Sequence, residues 1–147
     1  MRTIATLGDE DARIAIERIR SELAGRGQSA VIAVADAYGE TIALLRMDGS
    51  LLSSVGVAAN KAFTAARLRR PTSVTGQRVR HPETGFDIGY YGDPRYVGWG
   101  GGLPVVFDGA VVGAVAVSAL SEKEDEELAA LGVAAVMARL AGTGIQG

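Results

Sequence analysis

Between Pro104 and Ala141 the chain reads PVVFDGAVVGAVAVSALSEKEDEELAALGVAAVMARLA, an order that few folds accept. Asp108-Gly109 separates Pro104–Phe107 from Ala110–Val117, and a two-residue hairpin turn needs the positive φ that Asp and Gly adopt at low cost. The segment after the turn carries no charge. Ala110–Val117 is therefore expected to be covered on both faces or to lie at the centre of a sheet, with Gly113 admitting a neighbouring backbone or a ligand. Ser121-x-x-Glu124 forms a capping box. The run Glu122, Glu124, Asp125, Glu126 and Glu127 suits the positive end of the helix that follows, and Arg139 falls near its other end.

The upstream half predicts matching pieces. Thr6-x-x-Asp9 opens a helix in which Ala12, Ala15, Ile16, Ile19 and Leu23 recur at steps of three and four, and Gly25 and Gly27 stop it. Ser29–Ala35 is an apolar run of strand length, Asp36 to Gly39 has turn chemistry, and Thr41–Met47 returns as its partner. Asp48-Gly49 turns the chain again. Ser53 or Ser54 caps a helix over Val55–Arg70 that Pro71 closes. Ala58, Ala59, Ala62, Ala65 and Ala66 give that helix a thin surface, able to lie close to a sheet or a second subunit. Thr72–Arg80 predicts a short helical turn. His81–Leu103 is a long segment of Gly, Pro and Tyr, the kind that serves as a lid, binding loop or interface arm. The order predicts an α/β chain of the α+β kind, an antiparallel sheet flanked by helices.

Composition removes several functions. With 147 residues, 48% of them hydrophobic, the chain supports one core, and no compositional shift divides it, so residues 1–147 are expected to form one domain. A formal net charge of −2 argues against nucleic acid as a partner. The absence of cysteine rules out disulfides and thiolate chemistry. Ala110–Leu120, the longest uncharged apolar stretch, falls well short of the roughly 20 residues a membrane span requires. The start has no signal-peptide pattern, and a cytoplasmic protein without a membrane partner is expected.

Four groups of residues can carry chemistry. Asn60, Lys61, Thr64 and Arg67 recur at steps that place them on one side of the second helix, either as its solvated face or as an anion seat. Lys61 is set among alanines, and desolvation there would lower its pKa towards catalytic use. Arg67, Arg69, Arg70, Arg78 and Arg80, with His81 adjoining, either complement a helix C-terminus or seat carboxylate or phosphate groups. Tyr90, Tyr91, Tyr96 and Trp99 lie beside Gly98, Gly100, Gly101 and Gly102. A strand rather than a helix follows these glycines, so this is not a nucleotide phosphate loop. Either the glycines let the backbone pass a planar ligand or a neighbouring subunit, or the aromatics form a satellite core. His81, the sole histidine, is either a surface residue or the one imidazole available for base catalysis or iron ligation. No metal site is predicted.

The motifs MDGS at 47–50, NKAFTAA at 60–66 and GGLPVVFDGAVVGAVAVS at 101–118, with the acidic helix start at Asp125, resemble the GlcG/HbpS family. This family is also called DUF336 and includes the C-terminal module of PduO-type proteins. The resemblance covers nearly the whole chain. It implies a profilin-like single domain and homo-oligomers of up to eight subunits. Some members bind haem and are linked to haem sensing or degradation; others belong to glycolate, glycerol or propanediol metabolism. Matched motif positions place Lys61, Thr64, Gly101 and Gly102 at a ligand pocket. The family's strand ending resembles Gly-Val-Ser-Gly, whereas Ala116 and Ala119 flank Val117-Ser118 here. Neither of the first two helices has a histidine for an axial haem ligand, which leaves His81, a tyrosine or a methionine.

The expectation is a protein that binds a small anionic organic ligand between Lys61 and Thr64 and the Gly98–Leu103 loop. Arg67, Tyr96, Trp99, Gly101 and Gly102 are further binding candidates. The alternatives are a tautomerase- or lyase-like enzyme in which Lys61 or His81 moves a proton, and a protein with haem as cofactor.

Overall fold

Strand β4 (Ala110–Ser118) lies inside a four-stranded antiparallel sheet, between β1 (Val31–Asp36) and β3 (Gly102–Phe107), and β2 (Thr41–Arg46) pairs with the far side of β1. This computed structural model describes residues 1–145. The helices are α1 (Asp9–Gly25), α2 (Ser53–Leu68), α3 (Thr72–Val79) and α4 (Glu122–Ile145). The turn joining β3 to β4 has φ of 52° at Asp108 and 77° at Gly109, as the hairpin pattern requires.

Two cores form because side chains alternate along the strands. Ile32, Val34, Val115 and Val117 pack on one face with Ile19 and Leu23 of α1 and Leu128 and Val136 of α4. Val31, Ala33, Ala35, Ala114 and Ala116 pack on the other with Ala58, Ala62, Ala65 and Ala66 of α2. A buried methylene contributes only about 0.8 kcal/mol, so the alanine face depends on close approach more than on buried area. Gly113 is enclosed. A Cβ there would meet the Ala35 carbonyl and the side chain of Leu7, which explains the glycine inside an uncharged strand.

Some boundaries differ from expectation. Thr6 does not cap α1: its Oγ1 accepts from the Ala37 N–H at 3.0 Å, and Gly8 takes the cap position, donating its N–H to the Asp11 carboxylate at 2.9 Å. Neither Ser53 nor Ser54 caps α2, because Leu52 is already helical and precedes Ser53 directly. That helix stops at Leu68 rather than Arg70, since Arg69 turns left-handed at φ 58°. Ser121 does cap α4, accepting from the Glu124 N–H at 3.2 Å. Arg139 near the far end of α4 pairs with Asp11 of α1 at 2.9 Å.

Candidate functional site

Lys61 follows Ala58 by three residues on α2, so its side chain is turned inward and is only 2% exposed. Asp125, equally buried, lies on the inner stripe of α4 with Leu128, Ala129 and Val136. The two meet beyond the end of β4. Lys61 Nζ donates to Asp125 Oδ2 at 3.0 Å and to the Val117 carbonyl at 3.0 Å, while Asp125 Oδ1 accepts from the Leu120 N–H at 3.1 Å. Two charges removed from water persist only when paired and hydrogen-bonded, and these are. Burial pushes the Asp125 carboxyl up; the attraction of Lys61 and the N–H groups of Leu120 and Ala119 pull against it, and burial wins.

The glycine run closes over this pair. Gly101 has φ of 129°, and a Cβ there would lie 2.7 Å from Lys61 Nζ and 2.7 Å from the Val117 carbonyl oxygen. Glycine is required on both counts. Gly102 packs on the Lys61 backbone and donates its N–H to Thr72 Oγ1 at 2.9 Å, and Gly100 donates to Glu122 Oε1 at 2.7 Å.

Lys61, Asp125, Glu122, Ser118, Ala119 and Trp99 line a cleft of about 290 Å³. Trp99 is 56% exposed and forms one wall. Ala119 adopts φ of 138°, a conformation that favours glycine, at the position where the family pattern ends in glycine. Behind Trp99 lies a mainly apolar cleft of about 250 Å³ with Val79, Ile88, Val97 and Arg80. The tryptophan is thus a ridge between two hollows.

Thr64 lies outside the cleft but holds its wall. Its buried Oγ1 accepts from the Val97 N–H at 3.0 Å and donates to the Arg95 carbonyl at 3.3 Å, tying α2 to the segment that carries Trp99. Arg67 and Tyr96 gather around Phe63 instead. The Arg67 guanidinium lies 4.5 Å and that of Arg95 4.0 Å from the Phe63 ring centre, with Tyr96 edge-on at 4.9 Å and stacked on Tyr91 at 4.7 Å. Those contacts anchor the long loop to α2. His81 is exposed, and its Nδ1 accepts from the N–H groups of Glu83 and Thr84, both at 3.2 Å. The structure therefore brings Lys61, Trp99, Gly101 and Gly102 together, with Thr64 as a support, and leaves Arg67, Tyr96 and His81 elsewhere. No group of three or more His, Cys, Asp or Glu side chains able to hold a metal ion occurs among the described residues.

Asp125, Glu122 and Ser118 are the site residues that the sequence reading did not select. Asp125 passed as one acid among five at a helix start. Its spacing to Leu128, Ala129 and Val136 is the signal, because a carboxylate on a buried stripe needs a partner, and Lys61 holds the equivalent place among the alanines of α2.

The fold and cleft define an α+β domain of the DUF336 type. Residues 7–134 match the model of a family described as haem-degrading protein HbpS-like, and the chain belongs to that family. GlcG of Escherichia coli K12 is 36% identical over 118 residues, covering 80% of this chain and 85% of GlcG. The DUF336 protein ORFY of Klebsiella pneumoniae superposes with a TM-score of 0.84 at 28% identity, covering 94% of this chain and 95% of ORFY. A crystal structure of a PduOC:heme complex superposes at 0.78 with 26% identity, over 89% of this chain and 95% of that one. No helix among the described residues is long and apolar enough to cross a membrane.

Proposed function

We propose that this protein binds a small oxo- or hydroxy-acid in the Lys61–Trp99 cleft, with one carboxyl or carbonyl oxygen on Lys61 and the body of the ligand against Trp99. The carrying observation is the Lys61 ammonium itself. It has three N–H donors, and two are taken by Val117 and Asp125, so one is left for an acceptor at the cleft it lines. The cleft also sets the ligand's charge. One ammonium faces the carboxylates of Asp125 and Glu122, which disfavours a multiply charged anion. At about 290 Å³ the volume lies at the small end of ligand sites and suits few heavy atoms. Binding rather than turnover is the reading, because Lys61 is held as a paired cation and His81 lies away from the cleft.

Trp99 is the only tryptophan, so its fluorescence reports the two hollows it separates, and dependence of the response on Lys61 and Asp125 assigns it to this one. Titration with glycolate or pyruvate is expected to quench it saturably. The Lys61→Met/Asp125→Leu double variant, which keeps the buried volume apolar, is expected to lose the response. Saturable binding that leaves the emission of Trp99 untouched would refute the assignment.

Haem is the second reading, supported by the family description and by the likeness to the PduOC:heme complex. The cleft is not lined by a histidine, cysteine, methionine or tyrosine, so its residues do not fit axial ligation of haem iron. A Soret shift on haemin titration that survives the double variant would place haem outside this cleft. We also infer that the protein acts in the cytoplasm as a homo-oligomer. Leu51 and Leu52, each 70% exposed before α2, are the apolar surface that supports self-association. Light scattering that returns a monomer at working concentration would dismiss it.

A further inference from the structure

A second cleft, at the opposite end of the sheet, holds two guanidiniums and no facing carboxylate, whereas the Lys61 cleft sets one ammonium against the carboxylates of Asp125 and Glu122. Its volume is about 550 Å³, well inside the range of small-molecule sites, and Arg2, Ile4, Tyr38, Arg69, Val106 and Val111 are among its lining residues. Neither guanidinium has a carboxylate partner among the described residues, and Glu40 is engaged by Arg67 at 3.5 Å and Arg95 at 3.2 Å. No acidic side chain among the described residues lines the hollow. Two uncompensated positive charges therefore meet in one concavity of a chain whose formal net charge is −2.

The rest of the lining is suited to a ring. Tyr38 is 64% exposed and Val106 is 49% exposed, an aromatic plane and an aliphatic floor left open to solvent. Guanidinium pairs bidentately with phosphate or carboxylate, and two of them suit a doubly charged head. The nine residues of β4 run from Ala110 at this cleft to Ser118 at the Lys61 cleft, a separation of about 26 Å at the rise of an extended strand. Arg2 and Ile4 also precede the residues 7–134 that match the family model.

We propose that this cleft is a second binding site, for an aryl phosphate or similar doubly charged oxyanion on a planar body, held by Arg2 and Arg69 with its ring against Tyr38 and Val106. The inference does not rest on the Lys61 cleft.

The test is calorimetric titration of phenyl phosphate into the intact chain at low ionic strength. Arg69→Gly is the decisive variant, because residue 69 has φ of 58°, where glycine is at ease and the fold should be kept or improved. One saturable site is expected, weakened at least about tenfold in Arg69→Gly and in Arg2→Ala, the loss anticipated when a charge-assisted hydrogen-bonded contact is removed. Trp99→Ala is expected to bind as the wild type does, with no change in Trp99 emission on wild-type binding. Inorganic phosphate is expected to bind more weakly, and equal affinity would remove the planar body from the proposal. Absence of saturable binding, or unchanged affinity in both arginine variants, would overturn it.

Discussion

Replacing Asp125 with alanine tests the buried pair at its most vulnerable point. In the native chain the Lys61 ammonium and the Asp125 carboxylate each keep only 3% of their side-chain surface in water. Deleting the carboxylate leaves Lys61 Nζ with the Val117 carbonyl as its one protein acceptor and strips the Leu120 N–H of its partner. An uncompensated buried charge of this kind costs about 3–5 kcal/mol. For a chain of this length that is a fall in Tm of roughly 10–20 °C. Replacing both partners, as Lys61→Met/Asp125→Leu, removes the charge together with its desolvation cost and should recover most of the loss, since apolar substitutes for a buried pair are often neutral or better. Thermal melts followed by circular dichroism, with urea titrations for the free energies, measure both. A loss below about 1 kcal/mol in Asp125→Ala would show that water in the cleft solvates the ammonium as well as the carboxylate does, which contradicts a pair only 3% exposed.

Three further outcomes follow from neighbouring geometry. Ala119→Gly should stabilise the protein by about 1 kcal/mol, because relief of a left-handed alanine outweighs the entropy glycine adds to the unfolded chain; calorimetric melting measures it. Thr64→Val should cost about 1–3 kcal/mol by leaving the Val97 N–H unpaired, and should speed hydrogen exchange over residues 95–99 before it affects the sheet. Because burial raises the folded carboxyl of Asp125, the unfolded chain releases that proton first, so this residue's contribution to stability is greatest in acid. It falls as pH rises from the ordinary aspartate range through the folded value; the difference between the pH–stability curves of the wild type and Asp125→Asn isolates it, and a difference of the opposite sign would contradict the assignment.

The hairpin at Asp108-Gly109, the uncharged central strand and the alanine face of α2 were legible because each is a local pattern with one structural solution. Alternation in Val31 to Ala35 and in Ala114 to Val117 also separates the two cores, since period-two side chains must part to opposite faces. The cap of α1 was not legible. Thr6 and Gly8 can both end a helix, and the choice was made by the distant Ala37 N–H that Thr6 accepts. For the candidate site, helical spacing brought out Lys61 and the family resemblance brought out the Gly101-Gly102 pair, but neither showed that the ammonium is already matched by Asp125, 64 residues along the chain. Local charge patterning assigned that carboxylate to the helix dipole; its spacing to Leu128, Ala129 and Val136 marks it for burial, and tertiary packing alone supplies its partner. Arg67 shares the helical phase of Lys61 and Thr64, yet it lies near the end of α2, where Phe63, Tyr38 and Glu40 draw it outward.

The proposed ligand cleft is bounded by the Lys61–Asp125 pair and Trp99. A crystal structure of the protein soaked with the acid that quenches Trp99 most strongly is its most direct measurement. Density for the ligand with an oxygen within hydrogen-bond reach of Lys61 Nζ and its body against the indole is the predicted result. Ligand density at another surface, with the space between Lys61 and Trp99 filled by side chains or ordered water alone, would contradict it.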